Sequence, residues 1–248
     1  MADHKVSFGY RQVDPDEKRR LVDEQFDAIA RSYDLADALL SLGLHFLWKR
    51  TTVRSLGLLE GHVVLDLCGG TADLALLAAG KVGRGGRVVV YDINRAMIEA
   101  GKAKVGRSPL AERISFIRGD AERMSFRDAC FDAVTVGFGV RNLVHLDRGL
   151  AEVYRVIKPG GRFSILEFSL PVWGWLRHLY DLFSRHVMPR AARIICGTGA
   201  PFVYLHESIR VFPSPEELSE RLRSAGFANV KFRRLTNGIA VVYLAHKD

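Results

Sequence analysis

Apolar residues along this chain fall into two alternating rhythms. Short runs rich in Val, Ile, Leu and Phe recur at Val63-Val64-Leu65, Val88 to Tyr91, Ile114 to Arg118, Phe131 to Val136 and Arg162 to Phe168. Each is too short for a helix and meets turn residues at its end, which reads as a buried parallel strand. Between them, Leu74 to Ala79, Ala96 to Lys104 and Leu150 to Ile157 carry the spaced apolar positions of helices. Asn94 is a candidate N-cap, and Lys158-Pro159-Gly160-Gly161 stops the third helix. Strands alternating with helices through short turns predict a doubly wound α/β sheet. Its ligand belongs at the carboxyl ends of the central strands.

The flanks depart from that rhythm. Met1 to Arg20 is polar and reads as a mobile arm. Val22 to Tyr33 puts Val22, Phe26 and Ile29 on one helical face. Leu39 to Leu56 is a second apolar stretch, helical with a break near Ser41-Leu42-Gly43. Both precede the first strand, so they are accessory helices, set either to cover a site or to pack on the sheet. Pro171 to Tyr204 mixes Trp173, Trp175, Tyr180 and Phe183 with Arg177, Arg185, Arg190 and Arg193. Such a mixture suits a pocket wall, a membrane surface, a homodimer contact or plain core. Beyond it, Ser214, Pro215 and Glu217 form the start of a helix with a capping box, and Gly226 ends it. Val230 to Leu235 and Gly238 to Ala245 read as a closing antiparallel pair. The expected organisation is an arm with accessory helices over 1–56 and one domain over 57–248, with an aromatic and basic insert at 171–207.

Composition narrows the classes. The 248 residues are 48% hydrophobic and 26% charged, as in ordinary globular domains. A net charge of +8 favours an anionic partner such as lipid or nucleic acid, or is simple solubility charge. Three scattered cysteines, with no Cys/His ligand spacing, speak against a metal or disulfide and for a reducing compartment. No signal-peptide core or membrane-length apolar run is present in the sequence, so the expectation is a cytoplasmic protein.

The chemistry concentrates in Asp66-Leu67-Cys68-Gly69-Gly70-Thr71-Ala72-Asp73. Its glycines are adjacent, so it lacks the G-x-G-x-x-G spacing that cradles a pyrophosphate. The turn resembles motif I of the class I S-adenosylmethionine-dependent methyltransferases, a Rossmann-like fold whose ligand has no phosphate. Asp92, at the end of the second strand, is placed to accept from ribose hydroxyls, with Ile93 continuing the turn. By the same resemblance Asp120 and Ala121 meet the adenine, and Gly137 lies beside the ligand.

Longer stretches are more specific. Phe26-Asp27, Tyr33-Asp34, Leu42-Gly43, His45 and Leu47-Trp48-Lys49-Arg50 resemble the opening signature of the UbiE/MenG family of quinone-biosynthesis C-methyltransferases. Gly137-Phe138-Gly139-Val140-Arg141-Asn142, Lys158-Pro159-Gly160-Gly161, Leu166-Glu167-Phe168 and Tyr204-Leu205 through Phe212-Pro213 are similar to its later ones. The resemblance implies methyl transfer to a ring carbon of a polyprenyl quinol, with Arg141 and Asn142 acting at the ring. Demethylmenaquinol is the preferred substrate and the benzoquinol precursor of ubiquinone the alternative. Arg is a poor base, so Arg141 is expected to stabilise phenolate or orient a water; a salt bridge to a core acid is its plain alternative. His45 is the foremost alternative base, ahead of His145 and His206. Tyr33 and Tyr204 are candidates for the second hydroxyl. Ala72 departs from the family's glycine and is expected to set a methyl beside the methionine tail. An RNA methyltransferase is the rival suggested by charge, and a sensor with a vestigial site is another.

Overall fold

The computed structural model describes residues 5–248. The chain opens on a hairpin, β1 (Val6–Phe8) against β2 (Arg11–Val13), where an irregular arm was expected. Phe8 and Val13 are buried and pack with Tyr204. The two apolar residues that anchor the hairpin are too few to raise a periodic signal. Helix α1 (Pro15–Ile29) follows, with Pro15 in its first turn and Asp16 and Glu17 favourably placed at its positive end. It starts about two turns before the expected Val22, because polar residues on its outer face hide it.

Helix α2 (Tyr33–Leu40) and helix α3 (Leu44–Ser55) flank the expected break. Leu42 and Gly43 both have positive φ, +52° and +76°, which no continuous α-helix allows. The α/β core then runs β3 (Val63–Leu67), α4 (Asp73–Ala79), β4 (Arg87–Asp92), α5 (Arg95–Val105), β5 (Ile114–Arg118), β6 (Phe131–Gly137), α6 (Leu146–Val156) and β7 (Ile157–Phe168). Asn94 caps α5 as expected, accepting from the Met97 N–H at 2.8 Å.

The insert folds as α7 (Gly174–Leu182), a π-helical turn and α8 (Met188–Cys196). After it come α9 (Ala200–Val211), α10 (Pro215–Ser224) with its capping box, β8 (Ala228–Leu235) and β9 (Ala240–His246). The seven strands lie in the order β5-β4-β3-β6-β7-β9-β8, with β9 antiparallel to β7 and β8. Pro159-Gly160-Gly161 lies inside β7 rather than before it. Phe131 faces Ile157 and Ala133 faces Arg162, so the intervening residues bulge out of the ladder.

Both faces of the sheet are covered. Leu65, Val134 and Ile165 are fully buried on one side, and Val64, Val88 and Val90 on the other. Two-sided burial is why these strands read as continuous apolar runs. The chain leaves β3 toward β4 and later returns to its other side with β6. Connections diverging from one strand open a crevice at its carboxyl end.

Candidate active site

That crevice is a cleft of about 1080 Å³. The β3–α4 turn forms its floor. Gly69 belongs there because a Cβ would stand 2.8 Å from Val90 Cγ1 and 2.9 Å from the Asp66 carbonyl. The Gly70 N–H donates to Asp92 Oδ2 at 2.9 Å and the Asn94 N–H to Oδ1 at 2.9 Å. Both oxygens of Asp92 are thus aimed by the backbone, with lone pairs left over for a pair of hydroxyls. Burial pushes the Asp92 pKa up despite those donors. Asp66 is 1% exposed; its Oδ2 accepts from the Ala75 N–H and its Oδ1 has no partner. Burial lifts its pKa to about 8.

Ile93, Asp120, Ala121 and Gly137 line the same cleft, as does Thr71, whose hydroxyl donates to Asp34 Oδ1 at 2.6 Å. Asp120 is also engaged from above by Arg19 of α1 at 3.1 Å. The donor-lined floor, the aimed carboxylate and the orphaned Asp66 oxygen fit a ligand with a ribose and a cationic tail. Ala72 is the exception to expectation. Its φ is +68°, but the side chain is fully buried among Ala75, Leu74 and Val90 and does not line the cleft. Its methyl points into the core, not toward a methionine tail.

Beside the cleft lies a buried ionic cluster. Lys49 Nζ stands 2.5 Å from Asp37 Oδ2, 2.7 Å from Asp73 Oδ2 and 2.9 Å from His45 Nδ1. Lys104 bridges Asp73 and Asp34. Burial alone would discharge Lys49, but Asp37 and Asp73 outweigh it and hold the ammonium well above its ordinary pKa. The three groups Asp37, His45 and Asp73 have the spacing of a metal site. The Lys49 ammonium sits within bonding reach of all three.

A second cavity, of about 1360 Å³, opens between the accessory helices, the insert and α9. Its wall is mainly apolar and aromatic, and it shares Phe26 and Tyr33 with the first cleft. Arg141 lines it from the short helical turn after β6. The Arg141 guanidinium pairs with Glu167 at 2.7 Å and donates to the Phe138 carbonyl at 2.5 Å. Its Nε is buried without a partner. Burial works against the charge, but Glu167 keeps the guanidinium protonated.

Asn142 Oδ1 accepts from the Tyr204 hydroxyl at 3.1 Å. Burial raises the pKa of Tyr33 strongly and that of Tyr204 to about 12.

The structure thus gathers Tyr33, Arg141 and Tyr204 around the second cavity, while Asn142, bonded to Tyr204, lines the first cleft. His45 does not join them. It is 1% exposed, lines neither cavity, and spends its Nδ1 on Asp37 and Lys49. His206 faces Ser184 at 2.9 Å. Sequence reasoning quoted Glu167, Asp73 and Lys49 only as parts of motifs, without a role, and passed over Asp37. An acid inside an otherwise apolar strand was the available signal for Glu167.

The ubiE/COQ5 methyltransferase family matches residues 12–247. The ubiquinone/menaquinone biosynthesis C-methyltransferase UbiE of Legionella pneumophila (strain Corby) is 39% identical over 249 residues, covering 100% of both chains. That of Xylella fastidiosa (strain M23) is 41% identical, covering 97% of this chain and 95% of the other. Among solved structures, an S-adenosylmethionine-dependent methyltransferase from Thermotoga maritima, described as a possible histamine N-methyltransferase, superimposes with a TM-score of 0.62 at 20% identity. It covers 91% of this chain and 99% of that one. One from Aquifex aeolicus gives 0.55 at 17%, covering 94% and 98%. At such identities these two speak for the fold alone.

Proposed function

The chain belongs to the ubiE/COQ5 methyltransferase family, and from that premise we propose that its substrate is demethylmenaquinol, methylated at a ring carbon. It is an S-adenosylmethionine-dependent C-methyltransferase of ubiquinone/menaquinone biosynthesis. The observation that carries the finer reading is the meeting of the two cavities at Phe26 and Tyr33, with Arg141 on the apolar wall. A naphthoquinol buries a second ring against Trp48, Phe168 and Phe202, where the benzoquinol alternative offers less aromatic area.

S-adenosylmethionine, when bound, supplies an electrophilic methyl group on a sulfonium. Asp92 would hold its ribose, Asp66 and the Gly69-Gly70-Thr71 turn its amino acid end, and Asp120 with Ala121 its adenine. Arg141 stays protonated, so it acts as a donor: its free Nε–H meets a ring oxygen as negative charge develops there. Asn142 fixes Tyr204, and Tyr33 with Tyr204 orients the ring. Enclosure by the accessory helices and the insert excludes water. The proton leaves through a water rather than through His45, which lines neither cavity.

The prenyl tail and the membrane belong to the same reading. Leu42 and Leu179 line the cavity yet are 86% and 53% exposed, which marks its mouth. Trp173, Trp175, Leu182 and Ile194 of the insert are exposed too, with Arg185, Arg190 and Arg193 in the same segment. Aromatic and basic residues together suit an anionic lipid surface. No helix among the described residues is long and apolar enough to cross a membrane, so the contact is peripheral. A homodimer would cover the same face, and light scattering with and without vesicles separates the two.

The deciding experiment is methyl transfer from labelled S-adenosylmethionine to chemically reduced demethylmenaquinone, beside a benzoquinol and bulk RNA. Product with the naphthoquinol above the other two is expected. Product only with the benzoquinol would move the assignment to the ubiquinone precursor, and no product with either quinol would overturn it.

A further inference from the structure

The turn between α2 and α3 presents apolar side chains that the interior leaves unused. From Leu35 to Arg50 the exposed residues are Leu35, Leu39, Leu42, Phe46, Leu47 and Arg50. Leu42 is 86% exposed and the other four apolar ones between 51% and 56%. Single exposed leucines are ordinary on a protein surface, but a group of them around one turn marks a contact. Leu42 also sits at φ +52°, a conformation that costs a bulky residue energy. The strain is kept where the most exposed of these side chains projects.

Arginines stand behind this tip on both sides. Helix α2 runs into the turn and α3 leaves it. Arg31 precedes Leu35 by four residues. On α3, Arg50 and Arg54 lie about 6 and about 12 Å along the axis beyond Phe46. All three are exposed, and no exposed acid lies between Leu35 and Arg54. None of the three makes an ion pair among the described residues, whereas Arg20, Arg221 and Arg234 elsewhere on the surface each pair with an acid. An apolar tip with a cationic collar fits a bilayer leaflet with anionic head groups. Its acyl region covers the leucines and Phe46 while its phosphates meet the arginines. A two-fold contact between copies of this chain would instead bring the same unpaired arginines together.

The tip is also the rim of a binding site. Leu40, Ser41, Leu42 and Leu44 line the second cavity, so the turn lies at its mouth. We propose that the α2–α3 turn inserts into an anionic leaflet and sets the cavity mouth against the acyl chains, so that a prenyl tail passes from lipid to protein without crossing water. This rests on the quinol reading above and names the element through which the bilayer is entered.

The test is flotation of the full chain, saturated with S-adenosylhomocysteine, on phosphatidylcholine vesicles with and without phosphatidylglycerol. Leu39→Ser, Phe46→Ser and Leu47→Ser are combined in one variant, since these three side chains line neither cavity. That variant should bind the anionic vesicles about tenfold more weakly or worse, because the area that lipid would cover is lost. Arg50→Glu with Arg54→Glu should lose about tenfold on anionic vesicles and bind neutral ones as wild type does. For the serine variant, kcat/KM with a long-tailed demethylated naphthoquinol dissolved in the vesicles should fall in step with binding. Turnover of a short-tailed quinol free in solution should match wild type, which also certifies the fold. A serine variant that floats as wild type does overturns the proposal. So does a wild-type dimer that forms without lipid in analytical ultracentrifugation and is dissociated by the serine changes. If the short-tailed quinol is methylated while flotation ignores the serine changes, only this inference falls. If flotation follows them but neither quinol is methylated, the substrate reading falls and the lipid contact stands.

Discussion

At Arg141 the cost of burying a charge is met by Glu167, 2.7 Å away and itself 1% exposed. Removing one member strands the other. Arg141→Ala is therefore expected to cost about 3–5 kcal/mol of stability, whereas Arg141→Met with Glu167→Met should recover most of it. Neither variant should transfer methyl groups. Denaturant melts beside turnover measure both quantities, and full activity in the apolar double variant would remove Arg141 from the reaction. Asp66 gives a pH signature. Its folded pKa is raised to about 8 by burial, against about 4 for an unfolded Asp. Between those values the folded state binds more protons than the unfolded one, so Asp66 lowers stability as pH rises from about 4 to about 8. Asp66→Asn removes that slope. Without cofactor, its melting temperature should draw level with wild type near pH 4 and exceed it by a few degrees near pH 8. A constant gap across the range would refute the assignment.

Helix α1 is the element on which access to the cofactor cleft turns. Its Asp23 and Asp27 accept from Asn94 Nδ2 at 2.7 and 2.8 Å, and its Arg19 reaches Asp120. Asn94 is also the cap of α5 and, two residues after Asp92, donates its N–H to that carboxylate, so one residue joins α1, α5 and Asp92. Helix α1 packs on α5, α9 and β1 rather than on the sheet, the sparse attachment from which opening elements are drawn. Asp23→Ala with Asp27→Ala removes two hydrogen bonds worth about 1 kcal/mol together at this partly exposed site. Release of S-adenosylhomocysteine should accelerate about fivefold, read by stopped flow, with little change in global stability. An unchanged release rate would mean that α1 does not gate the cleft. Helices α2 and α3 are held differently, through Thr71–Asp34, Lys49–Asp73 and Lys104–Asp34. Those links tie α2 and α3 to the β3–α4 turn, α4 and α5.

For the molecule as a whole, the two cavities open toward different surroundings. The cofactor cleft lies under α1 at the polar end of the sheet. The apolar cavity opens beside exposed Leu42 and Leu179, and the insert that forms part of its wall exposes Trp173, Trp175 and Ile194, on a chain of net charge +8. Trp173→Ser, Trp175→Ser and Ile194→Ser combined should weaken partition onto anionic vesicles by about tenfold or more, since each loses apolar area that lipid would cover. Turnover of a short-tailed quinol in solution should stay as in wild type. Salt should release the wild type from vesicles without abolishing that turnover. Equal co-sedimentation of variant and wild type would place the face in a subunit contact or leave it bare.

The sequence by itself determined the sheet, the order of its helices and the glycine turn after β3. Those depend on local periodicity and on residues adjacent in the chain: Val63 to Asp73, Asp92 after its strand, the capping box at Ser214. Arg141 was readable as a residue just past a strand end, and the structure sets it on the wall of the apolar cavity. The tertiary structure alone decided what Arg141 pairs with, since Glu167 lies on another strand. It alone showed that His45 faces Asp37 and Lys49 instead of a cavity, and that the Ala72 methyl turns into the core. It also gave the hairpin at Val6–Val13 its reason, a docking against Tyr204 nearly the whole chain away. Periodicity records which face of an element is apolar. Which distant side chains share a buried space is fixed only when burial, charge pairing and hydrogen-bond satisfaction are met together.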